Sequence, residues 1–258
     1  MGEPRIVCQF SCGAASAVAT KLALAEYGHE RVAIVNAFIQ EEHADNRRFL
    51  ADCERWFRHP IIILQNDKYN ASTDEVWRRK RYIKGQYGAP CSLELKRSVL
   101  NEWSLPSDVF VLGYTAEEQD RLDAFVDANS GRKTIAPLIE KSLSKADCLA
   151  MVERAGLTLP APYLMGYDNS NCLGCPKGGI AYWQNIRADF PQRFHTVKQI
   201  QEAIGPGAYF LRFRSGPRAG ERMALADLPA GRGDMSREPS FSCSFFCEMA
   251  EQDIRGCR

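Results

Sequence analysis

Arg5-Ile6-Val7-Cys8-Gln9-Phe10-Ser11-Cys12-Gly13-Ala14-Ala15-Ser16-Ala17-Val18 decides the fold. Arg5–Phe10 reads as a strand covered on both faces, small residues follow at 11–16, and Val18, Leu22 and Leu24 then take up helical spacing through Tyr27. A strand that turns into a helix through small residues lets a phosphate approach the backbone N–H groups of the helix N-terminus, which carries about half a positive charge. The same turn also serves as a plain corner in any doubly wound sheet. It is neither the dinucleotide-binding glycine fingerprint nor the Lys-containing nucleotide loop, because no Lys follows Gly13.

Outward from this stretch, short apolar runs alternate with amphipathic segments, which predicts β–α units and a doubly wound, mostly parallel α/β sheet. Strands are expected at Arg31–Phe38, Pro60–Leu64 and Asp108–Leu112. Helices are expected at Ala44–Phe57, Thr73–Tyr82, Leu95–Trp103, Ser144–Ala155 with Ser144 as its cap, from about Pro176 through Arg187, and at Gln192–Ile204. After Ile204, Gly205-Pro206-Gly207, Gly216-Pro217, Gly220, Pro229 and Gly231-Arg232-Gly233 break every longer pattern. The chain therefore divides into residues 1–204, an α/β unit with a helical cysteine-bearing segment, and 205–258, a loop-rich arm with one strand expected at Ala208–Phe213.

The 258 residues carry a formal net charge of +1, so no global field recruits nucleic acid or an anionic membrane. No window approaches a membrane span and the first residues lack an apolar signal core, so a cytoplasmic protein is expected. There the ten cysteines stay reduced, and clustered ones more often bind metal than pair as disulfides. Cys172-Leu173-Gly174-Cys175 offers two thiols from one turn, able to hold one metal atom or two corners of a cluster, and Cys91 can add a third. Cys243 and Cys247 are either further ligands or buried small hydrophobes beside Phe245 and Phe246. Cys8, Cys53 and Cys148 fall on core faces, while Cys12 lies in the cradle, where the helix N-terminus would depress its pKa. His43 reads as a helix-start cap. Arg78-Arg79-Lys80-Arg81-Tyr82-Ile83-Lys84 suits a solvated helix face, a nucleic-acid surface or the phosphate of a small nucleotide.

Five segments in order, over residues 5 to about 190, resemble the phosphoadenosine phosphosulfate (PAPS) reductase family of adenine-nucleotide α-hydrolase-like proteins. Ser11-Cys12-Gly13-Ala14-Ala15-Ser16 is similar to its Ser-Gly-Gly-x-Asp-Ser loop, with Cys12 for a glycine and Ala15 for the aspartate. Ala37–His43 stands where the family carries its Asn/Asp-Thr-Gly-x-Glu-His segment, Cys91–Lys96 resembles Cys-Cys-x-x-Leu-Lys, Gly113–Arg121 resembles Gly-x-Arg-x-x-Glu-Ser-x-x-Arg, and Cys172–Pro176 resembles Cys-x-x-Cys-Pro.

The resemblance implies ATP or an adenylyl sulfate held by Ser11, Cys12, Gly13, Ala14, Ala15 and Ser16, with Phe38, Glu42, Gly113 and Arg121 around it. It also implies a 4Fe–4S cluster, with zinc as the alternative, on Cys91, Cys172 and Cys175; Cys243 or Cys247 supplies the fourth thiolate, or one iron stays open as in certain tRNA thiolases. Magnesium is put in doubt by Ala15, Glu41 and Glu42 being the nearest substitute carboxylates in sequence. The implied activity is nucleotide-activated sulfur transfer to a nucleic acid or small molecule, with a sulfur or electron donor protein as partner. Reduction of an adenylyl sulfate to sulfite is the alternative, and Cys257 would be its nucleophile, although the family's Cys-Gly-Leu-His tail is missing. A non-catalytic nucleotide-binding module with structural zinc is the third reading.

Overall fold

Five short parallel strands carry the molecule: β1 Ile6–Gln9, β2 Val32–Ala37, β3 Ile61–Leu64, β4 Val109–Val111 and β5 Lys133–Ile135. In this computed structural model, which describes residues 3–85, 88–238 and 241, their order is β3-β2-β1-β4-β5. Ile6 lies in register with Val32 on one side and with Val109 on the other, so β1 is the central strand. Its residues Ile6, Val7 and Cys8 are all buried, as a strand covered on both faces requires. The fold is thus the doubly wound α/β arrangement that the apolar runs predict.

Helices α1 (Ala14–Tyr27) and α2 (Asp45–Phe57) and the later helix Lys145–Arg154 bury one face of the sheet around Phe10, Phe49, Phe57, Leu138 and Val152. Val7, Val35, Leu100, Phe110 and Phe125 fill the opposite face. A third cluster lies beyond the sheet, where Trp77, Leu95, Tyr182 and Trp183 pack with Cys91, Cys172 and Cys175 and with arm residues Leu211, Met223, Leu225 and Leu228. The arm therefore shares its core with the cysteine segment. At the far end of the sheet the Arg5 guanidinium grips Asp108 through two bonds of 3.0 and 2.7 Å, tying the starts of β1 and β4.

Several boundaries differ from the sequence pattern. The helix expected at Leu95–Trp103 begins five residues earlier: Pro90–Ser92, a π-helical turn Leu93–Arg97 and Ser98–Trp103 run end to end, because Pro90 at the first position pre-sets the helical φ. The helix expected from Pro176 starts at Ile180, since residues 176–179 form the turn that closes the cysteine loop. The expected strand Ala208–Phe213 is reduced to Leu211–Arg212, paired with Arg222–Met223. α3 (Thr73–Lys80) ends two residues short of Tyr82, where Arg81 turns left-handed. Among the described residues no helix is long and apolar enough to cross a membrane.

Ser144 caps its helix as expected. Its hydroxyl accepts the Asp147 N–H at 3.1 Å, while the Asp147 carboxylate accepts the Ser144 N–H at 2.9 Å. Ser144→Ala removes this capping box and is expected to cost about 1 kcal/mol, lowering the thermal midpoint by about 2–4 °C in a calorimetric scan.

Candidate functional site

The chain runs β1, β2, β3 towards one edge and then returns to place β4 on the other side of β1, so the connections leaving β1 and β4 diverge. A crevice opens at that switch point, beyond the carboxyl ends of the strands. It is a cleft of about 670 Å³, walled by Gln9, Ser11 and Gly13–Ser16 after β1, by Val111–Thr115 after β4, and by Lys96, Arg121, Lys145, Tyr163 and 168–171. That volume suits a nucleotide-sized ligand. The two strand exits nearly touch: a Cβ on Gly113 would lie 3.3 Å from the Ser16 Cα, so a side chain there would press on the cradle.

The cradle is held by its own serines. The Ser16 hydroxyl donates to the Gly13 carbonyl at 2.9 Å and accepts from the Ser11 N–H and hydroxyl, each at 3.2 Å. Cys12 adopts φ +58°, a left-handed turn that L residues other than glycine enter at a cost of about 1–2 kcal/mol. That turn swings the thiol away from the cleft into the core, where the Asn36 amide donates to it at 3.6 Å. Burial, reinforced by Glu42, pushes the thiol pKa upward. The expectation of a reactive, depressed Cys12 is therefore corrected: the helix N-terminus does not reach a side chain aimed beneath it.

Gly113 and Arg121 reach the cleft as expected, whereas Phe38 and Glu42 are not among its lining residues. Phe38 packs under the Arg47 guanidinium at 4.2 Å, and Glu42 pairs with Arg47 at 3.6 Å. Glu41 accepts the Thr73 N–H at 2.8 Å and the Ser72 hydroxyl at 2.5 Å, securing the start of α3. Both carboxylates expected to substitute for the missing aspartate are thus committed elsewhere, and the carboxylates that face the cleft are Glu117, Glu118 and Asp168. Lys145 lines the cleft with them, its pKa lowered by burial and partly restored by Asp168 and Glu117. His43 caps α2, its Nδ1 accepting the Asp45 N–H at 3.1 Å.

Cys91, Cys172 and Cys175 line one small pocket with Trp77, Lys96 and Gly174. All three are buried, at 7%, 7% and 4% exposure. The loop carrying Cys172 is sewn to the strand exit after β2, with an isolated bridge joining Glu42 to Cys172 and the Leu173 N–H donating to the Glu41 carbonyl at 2.8 Å. The Tyr182 hydroxyl clasps the loop from within, donating to the Cys172 carbonyl and accepting the Cys175 N–H, both at 3.1 Å. Arg193 fixes it from outside, reaching the Leu173 carbonyl at 2.9 Å and Asp74 at 2.7 Å. Gly174 turns at φ +70°, and a Cβ there would lie 3.0 Å from the Trp183 ring.

These residues fit an iron–sulfur group by donor chemistry. Among the described residues no group of three or more His, Cys, Asp or Glu side chains is placed to hold a metal ion. One zinc ion needs its ligands within about 2.0–2.3 Å of a point, while a cluster spreads its thiolates over the corners of a cage. The pocket that the three thiols line encloses about 10 Å³ of free space. Trp77 adds a second indication, since its indole N–H is buried with no acceptor among the described residues, and such donors suit sulfide or thiolate.

Lys96 lines both cavities and is only 5% exposed. The π-helical turn Leu93–Arg97 brings it there one wide turn beyond Cys91. The arm returns to the same place: Asn169 and Asn171 donate to the Phe241 carbonyl at 2.7 and 3.0 Å, and the Phe241 ring stands 5.0 Å from that of Tyr182. Cys243, Cys247 and Cys257 lie outside the described residues. Cys8, Cys53 and Cys148 are core residues, as expected. In the basic stretch Arg78 and Arg79 both pair with Glu75, at 3.5 and 3.1 Å, Lys80 pairs with Glu94 at 2.6 Å and Arg81 donates to the Ala203 carbonyl at 3.3 Å, so a solvated helix face accounts for much of it.

Tyr163 was not legible as a site residue. It sits on the short helix Ala161–Leu164, which the sheet-facing α2 pulls in: Asp45 accepts the Ala161 N–H at 2.8 Å while Arg48 reaches the Thr158 and Leu159 carbonyls. No protein-family model matches the chain, and no curated protein matches it.

The Arg48 bonds, ahead of the Ala161 N–H, hold the Asp45 carboxyl below its ordinary pKa. Such a group stabilises fully above the unfolded carboxylate value, about 3.9, and the contribution disappears as pH falls through the lower folded value. Asp45→Asn is therefore expected to lose about 1–2 kcal/mol at pH 7 and progressively less below about pH 4, measured by urea unfolding across that range.

Proposed function

We propose that the chain is a PAPS-reductase-like iron–sulfur enzyme that binds an adenine nucleotide in the cleft and uses it to activate an acceptor for sulfur transfer, in a reducing cytoplasmic setting. The observation that carries this reading is adjacency: Lys96 borders both the nucleotide-sized cleft and the three-cysteine pocket. A bare β–α corner has no need of a buried lysine between a phosphate cradle and a pocket lined by three thiols.

In this reading the α1 N-terminus and the cations Lys96, Arg121 and Lys145 hold the anionic part of the nucleotide. With ATP, an acceptor oxygen attacks the α-phosphorus, the bond to pyrophosphate breaks, pyrophosphate leaves with the electron pair, and the acceptor proton passes to water. Hydrosulfide delivered by a donor protein then attacks the activated carbon of the acceptor, the carbon–oxygen bond breaks, AMP leaves with the electron pair, and the hydrosulfide proton passes to water. Cys91, Cys172 and Cys175 would hold a 4Fe–4S cluster, which when bound supplies a site that carries sulfur or electrons. Cys243 or Cys247, both beyond Phe241 in the sequence, is proposed as the fourth thiolate, with an open iron as the alternative. The acceptor is a nucleic acid or a small molecule, and the exposed Arg78 and Arg81 offer a nucleic acid positive charge beside α3.

The test is anaerobic reconstitution with iron and sulfide. Wild type is expected to take up about four irons per chain and absorb broadly at about 400 nm, with Cys172→Ser losing both signals. A colourless protein holding one zinc would favour the binding module. Loaded protein is then given ATP or an adenylyl sulfate: pyrophosphate release supports activation, while sulfite release replaces it with reduction.

A further inference from the structure

The polar groups on the cleft floor are unevenly committed. Ser11 and Ser16 spend their hydroxyls on each other and on the Gly13 carbonyl. Two donors remain. The Gln9 amide nitrogen, at the end of β1, is buried with no partner among the described residues, although Gln9 lines the cleft. The second is Tyr163. Its hydroxyl lies inside the cradle, 3.2 Å from where a Cβ on Gly13 would stand. The Ala14 N–H donates to its oxygen at 3.4 Å and the Ser170 N–H faces the same oxygen. A phenol oxygen so addressed by two N–H groups is an acceptor on both sides, and its own proton is directed to a third place. No acceptor among the described residues takes that proton. Burial raises the hydroxyl pKa to about 12, so the proton stays on at neutral pH.

A helix N-terminus, an orphaned amide N–H and a phenol proton lining one cleft are all donors, and together they call for a ligand made of acceptors. We propose that Tyr163 and Gln9 are ligand-contacting residues, donating to the oxygens of a pyrophosphate-like anion seated against the N-terminus of α1. The inference rests on the nucleotide reading of the cleft and adds the side chains that recognise the charged end of the ligand. Tyr163 replaces some of what the uncharged Ala15 cradle lacks in polar side chains: a neutral donor grips the anion without adding charge of its own. The phosphosulfate of an adenylyl sulfate presents the same chemistry as the pyrophosphate of ATP.

Titration calorimetry with inorganic pyrophosphate, ATP, adenosine 5′-phosphosulfate and adenosine tests this on wild type, Tyr163→Phe and Gln9→Glu. Tyr163→Phe is expected to weaken pyrophosphate and nucleotide binding about tenfold, and Gln9→Glu, nearly isosteric but anionic, by at least as much, with adenosine affinity unchanged. The nucleotide that shows the loss identifies which source the site takes. Unchanged affinity for every anion in both variants overturns the inference, as does an equal loss for adenosine with a lowered thermal midpoint, the mark of a merely structural cap. Wild type that binds none of the four overturns the nucleotide reading and this inference with it, so the two failures are separated by the wild-type titration.

Discussion

Everything in the molecule depends on β1 being flanked by parallel partners on both sides, β2 through Ile6↔Val32 and β4 through Ile6↔Val109. A strand so placed cannot be followed by a hairpin; its chain must leave over a face, and right-handed crossovers send the β1 and β4 connections to opposite faces. The space left between the two exits is the cleft. Its position is thus a consequence of strand order, and the cradle at 11–16 is simply the β1 exit seen from that space. The close approach of Gly113 to Ser16 marks how near the two exits come before they part.

The cysteine pocket is positioned by a different device. Ties to other elements hold residues 172–175, among them the backbone bridge to Glu42, the Tyr182 hydroxyl and the Arg193 guanidinium. Each tie joins the loop to an element from a different part of the chain, so the loop is over-determined. Glu41 illustrates the same economy. Its carbonyl receives Leu173 while its carboxylate secures α3, so one residue after β2 orients both Cys172 and the helix that supplies Trp77. Lys96 then inherits a place between the two cavities because the π-helical turn after Cys91 displaces it towards the cleft.

What could be read from the sequence follows from the length scale of each signal. Strands β1 to β3 are mostly apolar runs, and β4, though only Val109–Val111, is wholly buried; all four were legible. β5 was not, since Lys133-Thr134-Ile135 is an edge strand whose polar residues face outward. Cys-x-x-Cys announces itself within four residues, and Cys91 joins it through the family resemblance. Tyr163 has no local signal at all. It follows Pro160 and Pro162 on a one-turn helix, and its partner Ala14 is 149 positions away, so only the fold reveals the pair. Phe38 and Glu42 fail in the reverse sense: their segment lies at the right strand exit, but a loop drawn towards Cys172 turns them from the cleft.

Cys12 shows how a chain departs from a glycine turn without losing it. The left-handed backbone at φ +58° costs a residue with a Cβ about 1–2 kcal/mol. A glycine there would remove that cost, but it would also withdraw a fully buried Cβ and sulfur from the core shared with Phe10 and Phe49, leaving a hole worth a comparable amount. The two terms are of the same size, so the turn tolerates a small apolar side chain provided it points inward. A larger or polar one would have to enter the core or block the cradle. The asymmetry explains why the thiol, although it stands in the turn after β1 by sequence, belongs to the hydrophobic core by structure.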